Sequence, residues 1–238
     1  MSRFLLGANA ARGVRALLAG LSLTCLLGAS TPAPAAQGAG GGNAVTASSL
    51  AVPMSGTSAA QFSDGLTLVA RKATASPTAA IEIWIKCPSN GYGAARPGLA
   101  RLTALAIVEE KSGGPSLREE ARRSGAQVAI SVYNESTEIA MLAPAYLSPE
   151  LLDKLLSRAL HPHLDQAAFE AARQRLAAQQ VASMDMADQV LRDTLFARLF
   201  ISGPMHDSSF GDPKTLTGLT LDDISSFAAR AYVPAQEI

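Results

Sequence analysis

Residues Gly98 to Lys111 constrain the fold more than any other stretch of this chain. They read as an apolar-faced helix, entered through Pro97-Gly98 and ended by Ser112-Gly113-Gly114-Pro115. Such a helix is stable only where other elements cover its apolar surface. The flanking sequence supplies strands for that purpose. Leu66 to Ala70 and Ala79 to Lys86 are rich in β-branched and alternating apolar residues. Gln127 to Tyr133 and Thr137 to Ala143 repeat the pattern around a turn at Asn134-Glu135.

Helix signals fill the remainder. Ser116 with Glu119 forms a capping box for a short helix that stops at Gly125. Ser148-Pro149 reads as an N-cap and first-turn proline for a helix over 150–160. Asp165 caps a longer helix to about Met184, with Leu164 and Phe169 as a hydrophobic staple. A further helix spans about Ala187 to Ile201. Thr220 with Asp223 opens the last one, Leu221 to Ala231, with Leu219 and Ile224 as a second staple. The order β-β-α-α-β-β-α-α-α-α predicts an α+β fold, a mostly antiparallel sheet with helices packed on one face.

The N-terminal region reads differently. Arg3, Arg12 and Arg15 precede an apolar run, Ala16 to Ala29, and a small-residue site at Ala33-Pro34-Ala35. That pattern predicts a signal peptide over 1–36, hence export to the periplasm or secretion, with no membrane attachment after cleavage. The run is shorter than the roughly 20 residues of a membrane span. The small and polar stretch 37–60 reads as a flexible linker, and 61–238 as the folded lobe. Without the three leader arginines, 17 basic residues face 20 acidic ones, a net charge of about −3. This balance gives no basic footprint for nucleic acid. Cys87 would be the one thiol left and reads as a buried strand-end residue.

Several phrases, in order, resemble one lobe of the insulinase/pitrilysin metallopeptidase family. Phe62-Ser-Asp-Gly-Leu-Thr-Leu-Val69 is similar to its opening strand, and Gly98-Leu99-Ala100 to the lead-in of its inverted zinc motif, His-x-x-Glu-His. Ser124-Gly125-Ala126, Leu142-Ala143-Pro144, Phe169-Glu170, Gly211, Leu219 to Asp223 and Tyr232-Val233-Pro234 extend the resemblance to the end of the chain. In that family the lobe continues past the last phrase, so the resemblance implies an incomplete lobe, shortened at Ile238.

The resemblance also locates what is missing. A catalytic zinc takes about three protein ligands and leaves a position open for water. The family's two histidines correspond to Arg101 and Leu105, its general base to Ala104, its third ligand to Gln179 and a supporting acid to Ala172. None is a zinc ligand or base of the required kind, so zinc and other cofactors are not expected. Arg101 reads as a helix residue whose head snorkels to solvent, or alternatively as a cation that pairs with a neighbouring or substrate carboxylate. Glu109 and Glu110 read as a solvated helix end, and Met184-Asp185-Met186 as helix-end packing. His161, His163 with Asp165, and His206 lie in polar loops; a metal on the first pair would be adventitious.

The resemblance therefore implies an exported, non-catalytic homologue. Its expected partners are a zinc-bearing subunit or second lobe, and an extended peptide added near Val128 to Val132. The alternatives are a metalloendopeptidase with displaced ligands and a truncated, non-functional fragment.

Overall fold

The computed structural model describes residues 47–50, 56–73, 75–111 and 113–234. The expected signal peptide lies outside these residues. Six strands are described: β1 (Ala47–Leu50), β2 (Thr57–Phe62), β3 (Thr67–Arg71), β4 (Thr78–Lys86), β5 (Gln127–Val132) and β6 (Ser136–Pro144). Seven α-helices are found among the described residues: α1 (Leu99–Glu109), α2 (Leu117–Arg123), α3 (Ser148–Leu160), α4 (Gln166–Met184), α5 (Ala187–Leu199), α6 (Pro213–Gly218) and α7 (Leu221–Ala231).

The class is α+β, as the order of elements predicts. The strands form two antiparallel three-stranded sheets, ordered β1-β2-β3 and β4-β6-β5. Two strands occupy part of the stretch read as linker. β1 and most of β2 lie within 37–60, and the small residues Ala59 and Ala60 are buried with Phe62. Their strand state comes from pairing, Ala47 opposite Phe62 and Ala60 opposite Leu68, rather than from local β propensity.

In the second sheet the alternation is strict. Ile81, Ile83 and Ile85 of β4 and Thr137, Ile139, Met141 and Ala143 of β6 face the helices. The opposite face carries Glu82, Glu138 and exposed Leu142, with Trp84 stacked on Tyr133 at 5.5 Å between ring centroids. Register fixes this division, since a one-residue slip would expose the isoleucines.

α1 is the centre of the molecule. Every residue from Leu99 to Val108 is buried. Sheet β4-β6-β5, α3, α4 and α7 cover it, so it is apolar nearly all round rather than on one face. Leu102, Leu105 and Ile107 join Ile85, Ile139, Leu155, Leu176 and Ile224 in the fully buried core.

The predicted caps at Ser116, Asp165 and Thr220 all accept from the expected backbone N–H groups. Ser148 differs. A 3-10 turn over Ala145–Leu147 precedes α3, Leu147 is its N-cap, and the Ser148 hydroxyl donates to Ala145 O at 2.8 Å. α6 is an element the periodicity did not indicate, because its six residues are too few to show a helical repeat.

Candidate functional site

The first turns of α1 carry the site. Gly98 is the N-cap with φ +88, a conformation that favours glycine. A Cβ there would meet Phe210 O and Gly211 Cα, both at 3.2 Å. Gly211 has φ +71, and its Cβ would lie 2.6 Å from Pro97 O. These two glycines let the 203–211 loop press against the start of α1. Gln180 of α4 fastens the loop from the other side, its Nε2 donating to Gly211 O at 2.7 Å.

That loop closes over Arg101. The Arg101 side chain does not snorkel; the residue is 7% exposed. Its Nη1 donates to Ile130 O and its Nη2 to Ser209 Oγ, both at a long 3.4 Å. The guanidinium carbon sits 4.0 Å from the centroid of the Phe210 ring, a cation–π contact. No carboxylate pairs with it among the described residues, and Nε has no hydrogen-bond partner. Burial lowers its pKa to about 10, with the nearby Arg192 charge adding to the effect. It is still a cation at neutral pH, held by neutral acceptors alone.

Of the other positions that the resemblance aligns with the zinc motif, three are core. Ala104 is fully buried, Leu105 is 1% exposed and Ala172 is fully buried. Gln179 is half-buried and its Oε1 has no partner. These residues do not fit a zinc ion. The first position holds a fixed positive charge, the second a hydrocarbon, and no carboxylate or imidazole is present to act as ligand or base. Among the described residues, no three His, Cys, Asp or Glu side chains are grouped to hold a metal. His161 and His163 are exposed, while Asp165 spends its Oδ1 on Ala168 N at 2.7 Å.

Two sequence readings are corrected. Glu109 and Glu110 are not a solvated helix end. Glu109 Oε1 accepts from Arg118 at 2.6 Å and Arg175 at 2.7 Å. Glu110 is 3% exposed, its backbone carbonyl accepts from Arg158, and its carboxylate lies 3.8 Å from the same guanidinium. Arginines from α2, α3 and α4 converge on this end of α1, a tertiary arrangement with no local sequence signal. Met184 and Met186 are not packed; they are 60% and 54% exposed. Cys87 is buried as expected. Burial pushes its thiol pKa up, against a weaker opposing effect from its 3.4 Å hydrogen bond with Thr137.

β5 is the outer strand of its sheet among the described residues. Tyr133 N donates to Ser136 O at 2.8 Å across the turn. Antiparallel alternation then turns Ser131 and Ala129 toward β6, and the backbone groups of Val132, Ile130 and Val128 toward the free edge. Arg101 thus donates to an edge carbonyl. Beside the Val132 end lies a pocket of about 120 Å³, lined by Val132, Asn134, Arg192, Asp193, His206 and Ser209 among others. Sequence reasoning did not find Ile130, Ser209, Phe210 or Arg192 as neighbours of the motif. Gly211 alone offered a hint, as part of the resemblance.

This fold is shared with known peptidase structures. A protease from Helicobacter pylori aligns with a TM-score of 0.67 and 17% identity over 76% of this chain. A peptidase M16 inactive domain from Pseudomonas fluorescens aligns with a TM-score of 0.63 and 19% identity over 76% of this chain. The matched region spans 45% of each of those chains. No family model matches the sequence, and neither does any curated protein. The fold is therefore that of a peptidase M16, or insulinase-type, domain, recognised by structure at low sequence identity.

Proposed function

We propose that this chain is an exported, non-catalytic lobe of the insulinase type that serves as partner or scaffold beside a zinc-bearing subunit or second lobe. One observation carries the reading. The positions at which active relatives would hold two zinc ligands and a base are built into the core of α1 as Arg101, Leu105 and Ala104. The likeness to an inactive M16 domain is compatible with this.

The partner half of the proposal draws on α5. None of its residues is buried, and Leu191, Leu195 and Leu199 lie exposed at four-residue spacing. With Met184, Met186 and Ile201 they make an apolar surface of the kind that marks a protein contact. Export rests on the leader pattern ending at Ala33-Pro34-Ala35.

The deciding experiment is metal analysis and peptide hydrolysis on the purified chain. The expected result is no stoichiometric zinc and no hydrolysis, with activity appearing only in a complex with a zinc-bearing subunit. Stoichiometric zinc that is lost on His161→Ala or His163→Ala would establish the metalloendopeptidase alternative instead. N-terminal sequencing of the mature chain tests cleavage near residue 36.

A further inference from the structure

The exposed face of α5 is self-complementary. The half-buried residues Gln189, Asp193 and Phe196 mark the side of the helix turned toward the rest of the chain. An α-helix turns about 100° per residue. On that count Asp188, Leu191, Leu195 and Arg198 fall within an arc of about 80° on the far side. All four are exposed, Leu191 at 69% and Leu195 at 48%. Their spacing is that of a two-helix seam, with leucines inside and a charge of opposite sign at each end. Neither Asp188 nor Arg198 is engaged in an ion pair among the described residues.

The midpoint of α5 (Ala187–Leu199) is Asp193. A two-fold axis at that level sets a second copy antiparallel, with Leu191 opposite Leu195 of the second copy and Leu195 opposite its Leu191. The same register sets Asp188 opposite Arg198 at both ends and Leu199 opposite the small Ala187. A parallel pair would instead stack Asp188 on Asp188 and Arg198 on Arg198, like charges that repel. Apolar and charged positions thus match about one axis. Docking to an unlike protein requires no such symmetry.

We propose that the occupant of this face is a second copy of the chain, paired through antiparallel α5 helices. The pair closes Leu191 and Leu195 from water, and the rim charges set its orientation more than its affinity. One 13-residue helix per copy buries less than the roughly 800 Å² a side of a standard interface. The expected Kd is therefore micromolar. The pairing does not rest on a zinc-bearing partner. A subunit of that kind using the same face would have to displace the second copy.

The test is sedimentation equilibrium of the full chain at low salt, from roughly 1 to 200 μM, a range suited to a small interface. A monomer–dimer equilibrium is expected. Asp188→Arg turns both rim pairs into like charges and should weaken it about fivefold. Arg198→Asp should do the same, and the two together should restore it. Leu191→Asp should abolish it, while a thermal melt shows each variant folded. A monomer throughout would overturn the proposal, as would a dimer that survives Leu191→Asp. A double charge swap no stronger than the single ones would also overturn it. A monomer that gains mass only with a zinc-bearing subunit would give the face to that subunit and overturn the pairing. Zinc content and hydrolysis do not enter the measurement, so the pairing and the partner reading fail separately.

Discussion

Arg101 of α1 and Arg158 of α3 show how differently one residue type behaves at the two ends of α1. Arg158 compensates a buried group, bonding the Glu110 carbonyl and Pro115 O and standing 3.8 Å from the Glu110 carboxylate. Removing it leaves that carboxylate buried without a partner. Arg158→Ala is expected to lose about 3 kcal/mol or more in urea unfolding. Arg101 has no such counterion, so replacing it by a residue of similar length removes a cost. Arg101→Met is expected to leave the melting temperature unchanged or raise it, consistent with the neutral or favourable outcome of about 1–4 kcal/mol for hydrophobic replacement of buried charge. A clear fall in melting temperature would show that the long bonds to Ile130 and Ser209 hold the loop. Cys87, with its thiol kept protonated by burial, is expected to resist alkylation at neutral pH until the chain unfolds.

At the scale of elements, helix ends and loop contacts carry the testable content. Gly211 fits only because no side chain stands between it and Pro97 O. Gly211→Ala forces backbone apart at a positive φ, and is expected to cost about 2 kcal/mol or more. It should also release Phe210 from Arg101. α7 begins with a reciprocal cap, Thr220 Oγ1 accepting from Asp223 N and Asp223 Oδ2 from Thr220 N. Burial alone would raise the Asp223 pKa. The Thr220 amide and the Arg96 guanidinium outweigh it and hold the carboxyl below its ordinary 3.8. A depressed carboxyl contributes stability that is complete above its unfolded value and is lost as pH falls through its folded one. Acid unfolding of Asp223→Asn is therefore expected to depend less on pH below about 4 than that of the wild type, read by circular dichroism. These ends were legible in advance, because a Ser, Thr or Asp followed at the right spacing by an acid or a small backbone turn acts within one turn of chain. The Ser148 end was not. A 3-10 turn over Ala145–Leu147 follows β6 directly, and the N-cap lies at Leu147, one residue before Ser148.

For the molecule as a whole, the apolar face of α5 is the feature that solvent does not explain. Leu191 is 69% exposed and Leu199 63%, on a helix that the core does not use. Leu191→Asp with Leu195→Asp is expected to keep the melting temperature within a degree or two, since neither side chain is buried. If the proposed zinc-bearing partner docks here, the same pair should weaken its capture, measured by analytical ultracentrifugation of the mixture. Unchanged association would remove α5 from the interface.

The sequence by itself determined what depends on near neighbours along the chain. Strand alternation, most of the helix ends and the α+β order could all be read there. Tertiary structure alone decided the environment of each group. It made strands of small residues at Ala47–Leu50 and Thr57–Phe62 by giving them partners. It buried Glu110 under Arg158, exposed Met184, and set Arg101 beneath Phe210 at the edge of β5. Burial and charge pairing depend on residues 29 to 109 positions away, as Ile130, Ser209 and Phe210 are from Arg101. No local pattern encodes such distances, because their energy is realised only when the chain has closed around them.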